Sequence, residues 1–220
     1  MSNIRIFTGH FGSGKTEIAL NKAMDLAKEN KKVSIVDLDI VNPYFCVREL
    51  KSKLENKGIN LIASKAEYVN AELMVVPSEV VSIFNKEVED AIIDVGGDAE
   101  GAVVLGQYNR YFNEHGYKMY FVINNKRPLT KEVEDTLDYI KAIEKSSRLK
   151  VSELISNTNM SYETTIEDIL EGHRQTKELS KRLNIPYNNL VCRKDLVKEV
   201  LSKVDVNVYG IDIYMKPPWR

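Results

Sequence analysis

The sequence predicts a three-layer α/β fold, a mostly parallel sheet covered by helices on both faces. Three observations predict it. Short apolar runs alternate with segments of helical period from end to end. Several of those runs are continuously apolar, as in Ala91–Val95, the pattern of a strand buried on both sides. A glycine-rich loop joins the first run to the first helical segment.

Taken in order, Asn3–Thr8 reads as a strand through Ile4, Ile6 and Phe7. Residues 15–29 place Ile18, Ala19, Ala23, Leu26 and Ala27 at helical spacing. Val33–Leu38 is the next strand, and Pro43 opens a segment with Phe45, Leu50 and Leu54 that Gly58 ends. Ile59–Ala63 reads as a strand, and Pro77 and Ser78 open a helix carrying Val80, Val81 and Phe84. Ala91–Val95 is a buried strand closed by Gly96 and Gly97, and residues 99–114 read as one helix. Lys118–Asn124 is a strong strand, followed by a helix with Thr130 as cap and Val133, Leu137, Ile140 and Ile143 on its apolar face. Val151–Ile155 is a further strand. Thr164 and Glu167 suggest a capping box before Ile166, Ile169, Leu170, Leu179 and Leu183. Asn189–Cys192 reads as a late strand, Val206–Met215 as an edge strand, and Met215–Arg220 as irregular. Without repeat, low-complexity tract or linker, residues 1–220 are expected to form a single domain.

Composition sets bounds on function. The chain has 220 residues, 43% hydrophobic and 29% charged, with a net charge of -1, so no global field favours nucleic acid or an anionic membrane. Cys46 and Cys192 are its two cysteines, far apart and outside any CxxC, which argues against a disulfide framework or a thiolate metal site. No stretch of ~18 apolar residues suggests a membrane span. The first strand begins at once, leaving no room for a signal peptide. The expectation is a cytoplasmic protein with neither nucleic-acid nor membrane partner.

Gly9-His10-Phe11-Gly12-Ser13-Gly14-Lys15-Thr16 satisfies G-x-x-x-x-G-K-[ST], with a strand before it and an amphipathic helix after it. Glycines free the backbone N–H groups to form a concave nest for phosphate oxygens. The helix beginning at Gly14 adds its positive end, and the run from Gly9 to Thr16, with Glu17 after it, is expected to touch the nucleotide. Lys15 supplies a mobile cation to the β- and γ-phosphates, and Thr16 offers a hydroxyl to Mg²⁺.

Such a loop needs acidic groups at the ends of neighbouring strands, where ligands of open α/β sheets bind. Asp94, between Ile93 and Val95-Gly96-Gly97, has the place of a Walker B aspartate, and the Asp94–Gly97 spacing suits a loop that senses the γ-phosphate. Asp37 and Asp39 lie two apart, on one face if the strand continues. One suits a Mg²⁺-bound water and the other the attacking water.

These segments together, Gly9–Thr16, Val36–Pro43 and Ile92–Gly97, resemble the MinD/ParA/CobQ-type ATPases of the SIMIBI class of P-loop NTPases. The resemblance implies a parallel sheet of about seven strands, slow hydrolysis of ATP with Mg²⁺, and a nucleotide state that controls dimerisation or docking on a protein partner. It assigns Lys15 and Thr16 to phosphate and Mg²⁺, Asp39 to the attacking water and Asp94 to Walker B, and offers Asn157 as an adenine reader. One departure stands out. The family carries a lysine after the first glycine that reaches the phosphates of a facing subunit, and here that position is His10. A neutral imidazole does not replace a permanent cation, which counts against an ATP-sandwich dimer of that kind. Arg48 is one candidate for the missing charge.

Asn124-Asn125-Lys126-Arg127-Pro128 ends a strand at the ligand-bearing edge and partly matches the Asn-Lys-x-Asp guanine code, but lacks its aspartate, which favours ATP over GTP. Two other functions stay open. One is a small-molecule kinase or ligase similar to CobB or dethiobiotin synthetase, with Asn42, Tyr44, Arg48 and Arg127 as a second pocket. The other is a protein that binds nucleotide without hydrolysing it.

Overall fold

The computed structural model describes residues 3–39, 47–63, 78–85 and 88–215. In chain order the elements are β1 (Asn3–Thr8), α1 (Lys15–Lys28), β2 (Val33–Leu38), α2 (Lys51–Glu55), β3 (Asn60–Ala63), β4 (Asp90–Val95), α3 (Ala99–Gln107), α4 (Asn109–His115), β5 (Lys118–Ile123), α5 (Val133–Ser147), β6 (Glu153–Ser156), α6 (Ile166–Leu183), β7 (Tyr187–Arg193), α7 (Val197–Leu201) and β8 (Asn207–Ile211). The described strands form one sheet, one more than the seven the resemblance implies, in the order β3-β2-β4-β1-β5-β6-β7-β8 with every pairing parallel. After β1 the chain builds one flank, then crosses back to lay β5 on its other side. The strand order therefore reverses around β1, the kind of place where such sheets bind ligands.

Strand pleating divides the core by alternate residues. Ile4 and Ile6 of β1, Val36 and Leu38 of β2, and Ile93 and Val95 of β4 pack on one face with residues of α3, α4 and α5. Phe7, Ile35 and Ile92 face the other way, onto Ile18, Ala19 and Ala23 of α1. Both faces are covered, which is why these strands read as unbroken apolar runs. Ile6 and Ile93 are fully buried, and truncating either to Ala would cost about 2–5 kcal/mol.

Local departures from expectation have physical causes. The 99–114 segment is two helices, because the backbone leaves the α region at Tyr108, which ends α3 and opens α4. The segment at Ser78–Phe84 is a 3₁₀ helix, and of the segment expected from Pro43, Val47–Leu50 is 3₁₀ and leads into the short α2. Pro43 and Phe45 lie outside the described residues. Thr130 does not cap α5: it is buried, it donates to the Asn124 carbonyl, and the helix starts three residues later after Glu132. The capping box of α6 is Thr165 with Asp168, not Thr164 with Glu167. Thr164 instead donates to the Ser161 carbonyl and accepts the Met160 N–H. The expected edge strand is β8, confined to Asn207–Ile211. Among the described residues no helix is long and apolar enough to cross a membrane.

Candidate functional site

The loop Gly9–Thr16 leaves β1 where β4 and β5 flank it and runs directly into α1. Gly9, Gly12 and Gly14 all have positive φ, at 140°, 74° and 86°. Gly14 is the cap residue of α1 in the left-handed region, and a Cβ there would lie 2.3 Å from the Asn157 amide nitrogen. Glycine is thus required twice, by conformation and by space. No side chain caps α1, so its first N–H groups face the mouth of the loop, the arrangement that suits an anion.

Lys15 is buried and its Nζ lies 3.4 Å from Asp39 Oδ2. The Thr16 hydroxyl donates to Asp94 Oδ2 at 2.7 Å. Asp37 and Asp94 sit opposite each other on β2 and β4. Burial pushes the Asp94 carboxyl up to about 7, against the Lys15 charge and the Thr16 hydroxyl. Burial likewise pushes Asp37 up to about 6, opposed by the Arg48 guanidinium, whose Nε is 3.3 Å from Asp37 Oδ2. Arg48 also donates to the Asp39 carbonyl at 3.0 Å, and the Asp39 N–H donates to Asp37 Oδ1. The structure therefore brings together five of the residues singled out in the sequence: Lys15, Thr16, Asp37, Asp39 and Asp94.

Two carboxylate oxygens in this group, Asp94 Oδ1 and Asp37 Oδ2, are buried without a hydrogen-bond partner. Asp37 Oδ2 has the Arg48 ion pair, which leaves Asp94 Oδ1 unmatched, and a buried oxygen of this kind fits a divalent cation or its water shell. Among the described residues no cluster of three or more His, Cys, Asp or Glu can hold a metal alone. A Mg²⁺ ion arriving with a phosphate would meet the Thr16 hydroxyl with Asp94 and Asp37 behind it.

The opposite wall, from β5 and β6, is built of amides. Asn124 Nδ2 donates to the carbonyls of Gly12 and Asn159, and its Oδ1 accepts the N–H groups of Lys126 and Asn159. Asn157 Nδ2 donates to the Ser13 carbonyl at 2.7 Å. Arg127 Nε donates to the Gly12 carbonyl at 3.2 Å. Asn157 stood out only through the resemblance, as an adenine reader and not as a brace of the loop. The brace through Asn124 had only a strand end at the ligand-bearing edge, and nothing local marked its partners.

Between this wall and the start of α1 lies a narrow cleft of about 50 Å³, lined among others by Gly14, Glu17, Asn157, Arg193, Ile211 and Ile213. Glu17, expected to touch nucleotide, accepts the N–H groups of Tyr214 and Met215 instead. Its carboxyl is pushed up to about 6 by burial. Asn21 exchanges two hydrogen bonds with the backbone of Asp212. Together they fasten residues 212–215 along α1.

His10 is half-buried, with its ring edge-on to Tyr139 at 5.3 Å. Burial, then the charges of Lys15 and Arg127, hold its imidazole below the usual value and hence neutral near pH 7. The Tyr139 hydroxyl donates to the Gly97 carbonyl, a contact with no counterpart in the sequence reading. Phe11, at the tip of the loop, is 58% exposed. Of the two cysteines, Cys192 is a buried free thiol and Cys46 lies outside the described residues.

No protein-family model matches the chain. No curated protein matches it either. Among solved structures it is similar to FtsY from Mycoplasma mycoides, with 19% identity and a TM-score of 0.57 over 86% of this chain and 59% of that one. It is also similar to FtsY from Thermotoga maritima, with 17% identity and a TM-score of 0.55 over 86% and 61%. A third likeness is to the signal recognition particle 54 kDa protein of Aeropyrum pernix K1 in complex with GDP, with 18% identity and a TM-score of 0.54 over 84% and 40%. The chain thus spans between 40% and 61% of the length of these structures. At such identities the likeness concerns the fold alone, and that fold is the α/β fold of P-loop NTPases.

Proposed function

We propose that this chain binds a purine nucleoside triphosphate with Mg²⁺ and hydrolyses it slowly, as an ATPase of the MinD/ParA/CobQ type that works as a nucleotide-dependent switch. One observation carries the reading. Lys15, Thr16, Asp39 and Asp94 converge at the open N-terminus of α1, with the buried Asp94 Oδ1 unmatched.

In this reading the Lys15 ammonium moves from Asp39 to the phosphates, exchanging one anion for another. Asp39, released from Lys15, orients a water molecule. That water forms the new bond to the terminal phosphorus while the bond to the bridging oxygen breaks, giving the diphosphate and inorganic phosphate. Mg²⁺, when bound with nucleotide, would neutralise phosphate charge beside Thr16 and Asp94.

Adenine is favoured by the cleft beside Asn157. Recognition of guanine calls for a carboxylate on its N–H edge, and the one carboxylate in the lining among the described residues, Glu17, already accepts two backbone N–H groups. A protein partner or a second copy of the chain would read the nucleotide state, in the cytoplasm, with residues 1–220 acting as one domain. Among the described residues the kinase or ligase reading draws on Arg127 alone for its second pocket. Arg48 is engaged by Asp37 and Asp39, and Asn42 and Tyr44 lie outside the described residues.

The test is titration calorimetry with Mg²⁺-ATP and Mg²⁺-GTP, followed by phosphate release with no acceptor added. Binding of ATP in preference to GTP, with release, supports the proposal. Tighter binding of GTP corrects the base. Binding without release leaves a nucleotide-binding protein that is not an enzyme, and no binding of either removes the proposal altogether.

A further inference from the structure

His10 is neutral where a cation could have faced the phosphates. Three other cations stand near this edge of the sheet. Arg48 is engaged by Asp37 and the Asp39 carbonyl. Lys126 is paired with Asp168 at 2.8 Å and Glu171 at 2.9 Å. Arg127 differs from both. Its Nε rests on the Gly12 carbonyl, within the phosphate loop itself. Its guanidinium covers Gly12 so closely that a Cβ there would lie 2.7 Å from Nε and 3.0 Å from Cζ. Its charge is felt at His10, and among the described residues it has no carboxylate within ion-pair distance.

A guanidinium has five N–H donors in a fixed fork, and the bond to Gly12 uses one. The remaining donors suit a bidentate grip on phosphate. We propose that Arg127 contacts the terminal phosphate of the bound triphosphate within the same chain, as the second permanent cation of the site. The inference rests on the nucleotide reading above and deepens it. Arg127 leaves the Gly12 brace in place and turns its Nη groups to the ligand, so the loop needs no cation from a facing subunit.

The experiment measures Mg²⁺-ATP and Mg²⁺-ADP affinity for the wild type, Arg127→Gln, Arg127→Lys and, as control, Lys15→Ala. Arg127→Gln should weaken ATP by about ten- to hundredfold, the loss expected for a charged hydrogen bond, while ADP changes less than about twofold. Arg127→Lys should recover only part of the difference, since it restores the charge without the bidentate fork. Equal weakening of ATP and ADP would reduce Arg127 to a brace of the loop and overturn the proposal, as would no weakening at all. Should Arg127→Gln fold poorly, the wild type decides by modification with phenylglyoxal and peptide mapping. Protection of Arg127 by ATP but not by ADP supports the contact, and equal reactivity with both rejects it. ATP binding that is lost in Lys15→Ala but untouched in Arg127→Gln sinks this inference alone. A wild type that binds neither nucleotide sinks the functional reading as well.

Discussion

The two walls of the phosphate loop solve opposite problems. On the β5–β6 side, Asn124 and Asn157 are neutral, buried and hydrogen-bonded to loop carbonyls. On the β2–β4 side, Asp37, Asp39 and Asp94 are three buried acids close together, and Asp94 Oδ1 has no hydrogen-bond partner. Satisfied amides rigidify at little electrostatic cost. Buried carboxylates are costly until a cation or ligand completes them. One wall holds the loop in shape, and the other keeps an electrostatic deficit that a charged ligand relieves.

Substitutions on each side can break or sharpen that contrast. The largest effect is expected from Lys15→Ala, which should abolish Mg²⁺-ATP binding in calorimetry. It should also lower stability by about 3–5 kcal/mol, because the buried Asp39 carboxylate loses its ammonium. Asp39→Ala should keep ATP binding at least as tight, since Lys15 no longer has to leave an anion, yet end phosphate release. Normal turnover in both variants would defeat the assignment of the acidic wall.

On the amide wall, Asn124→Ala removes four hydrogen bonds at a fully buried position. It should cost about 2–4 kcal/mol in denaturant unfolding with ATP affinity falling alongside. A loss confined to affinity would mean that this wall, too, serves the ligand directly.

The acidic wall predicts a pH dependence of definite sign. The Asp94 carboxyl lies near 7 in the fold, above its ordinary value of 3.8. Between those values the folded form keeps a proton that the unfolded chain releases, so stability without nucleotide falls as pH rises through this window. Binding of Mg²⁺-nucleotide, which needs the ionised acid, tightens over the same window. Asp37 and Glu17, both near 6, add to the lower part of the slope. Asp94→Asn should flatten thermal melting between pH 6 and 7 and remove the Mg²⁺ dependence of binding. An unchanged slope would mean that Asp94 is ionised throughout. The smallest effect, about 1 kcal/mol, is expected for Thr165→Ala, which loses the α6 capping box, with no change in nucleotide affinity.

The same contrast explains what the sequence made legible. Lys15, Thr16, Asp37, Asp39 and Asp94 stand in short motifs whose spacing carries the chemistry, and adjacent strands bring them together. The parallel sheet followed from unbroken apolar runs. The amide wall was largely hidden, because Asn124 reaches Gly12 across 112 residues and Asn157 reaches Ser13 across 144. An asparagine at a strand end reads locally as a turn residue. The capping box was read one residue early, at Thr164 with Glu167, because a Thr-x-x-Glu spacing marks such a box more plainly than the Thr165-x-x-Asp168 that forms it. Glu17 shows the limit of a motif. As the residue after Thr16 it was expected to touch nucleotide, yet its partners are the N–H groups of Tyr214 and Met215.

The attachment of residues 212–215 to Glu17 and Asn21 bears on the order of synthesis. Synthesis runs from the glycine-rich loop to Ile211 and Ile213, which line the cleft beside it, only after about two hundred further residues. A nascent chain halted before that point carries the complete loop but lacks one side of the cleft, so nucleotide capture should await the last strand.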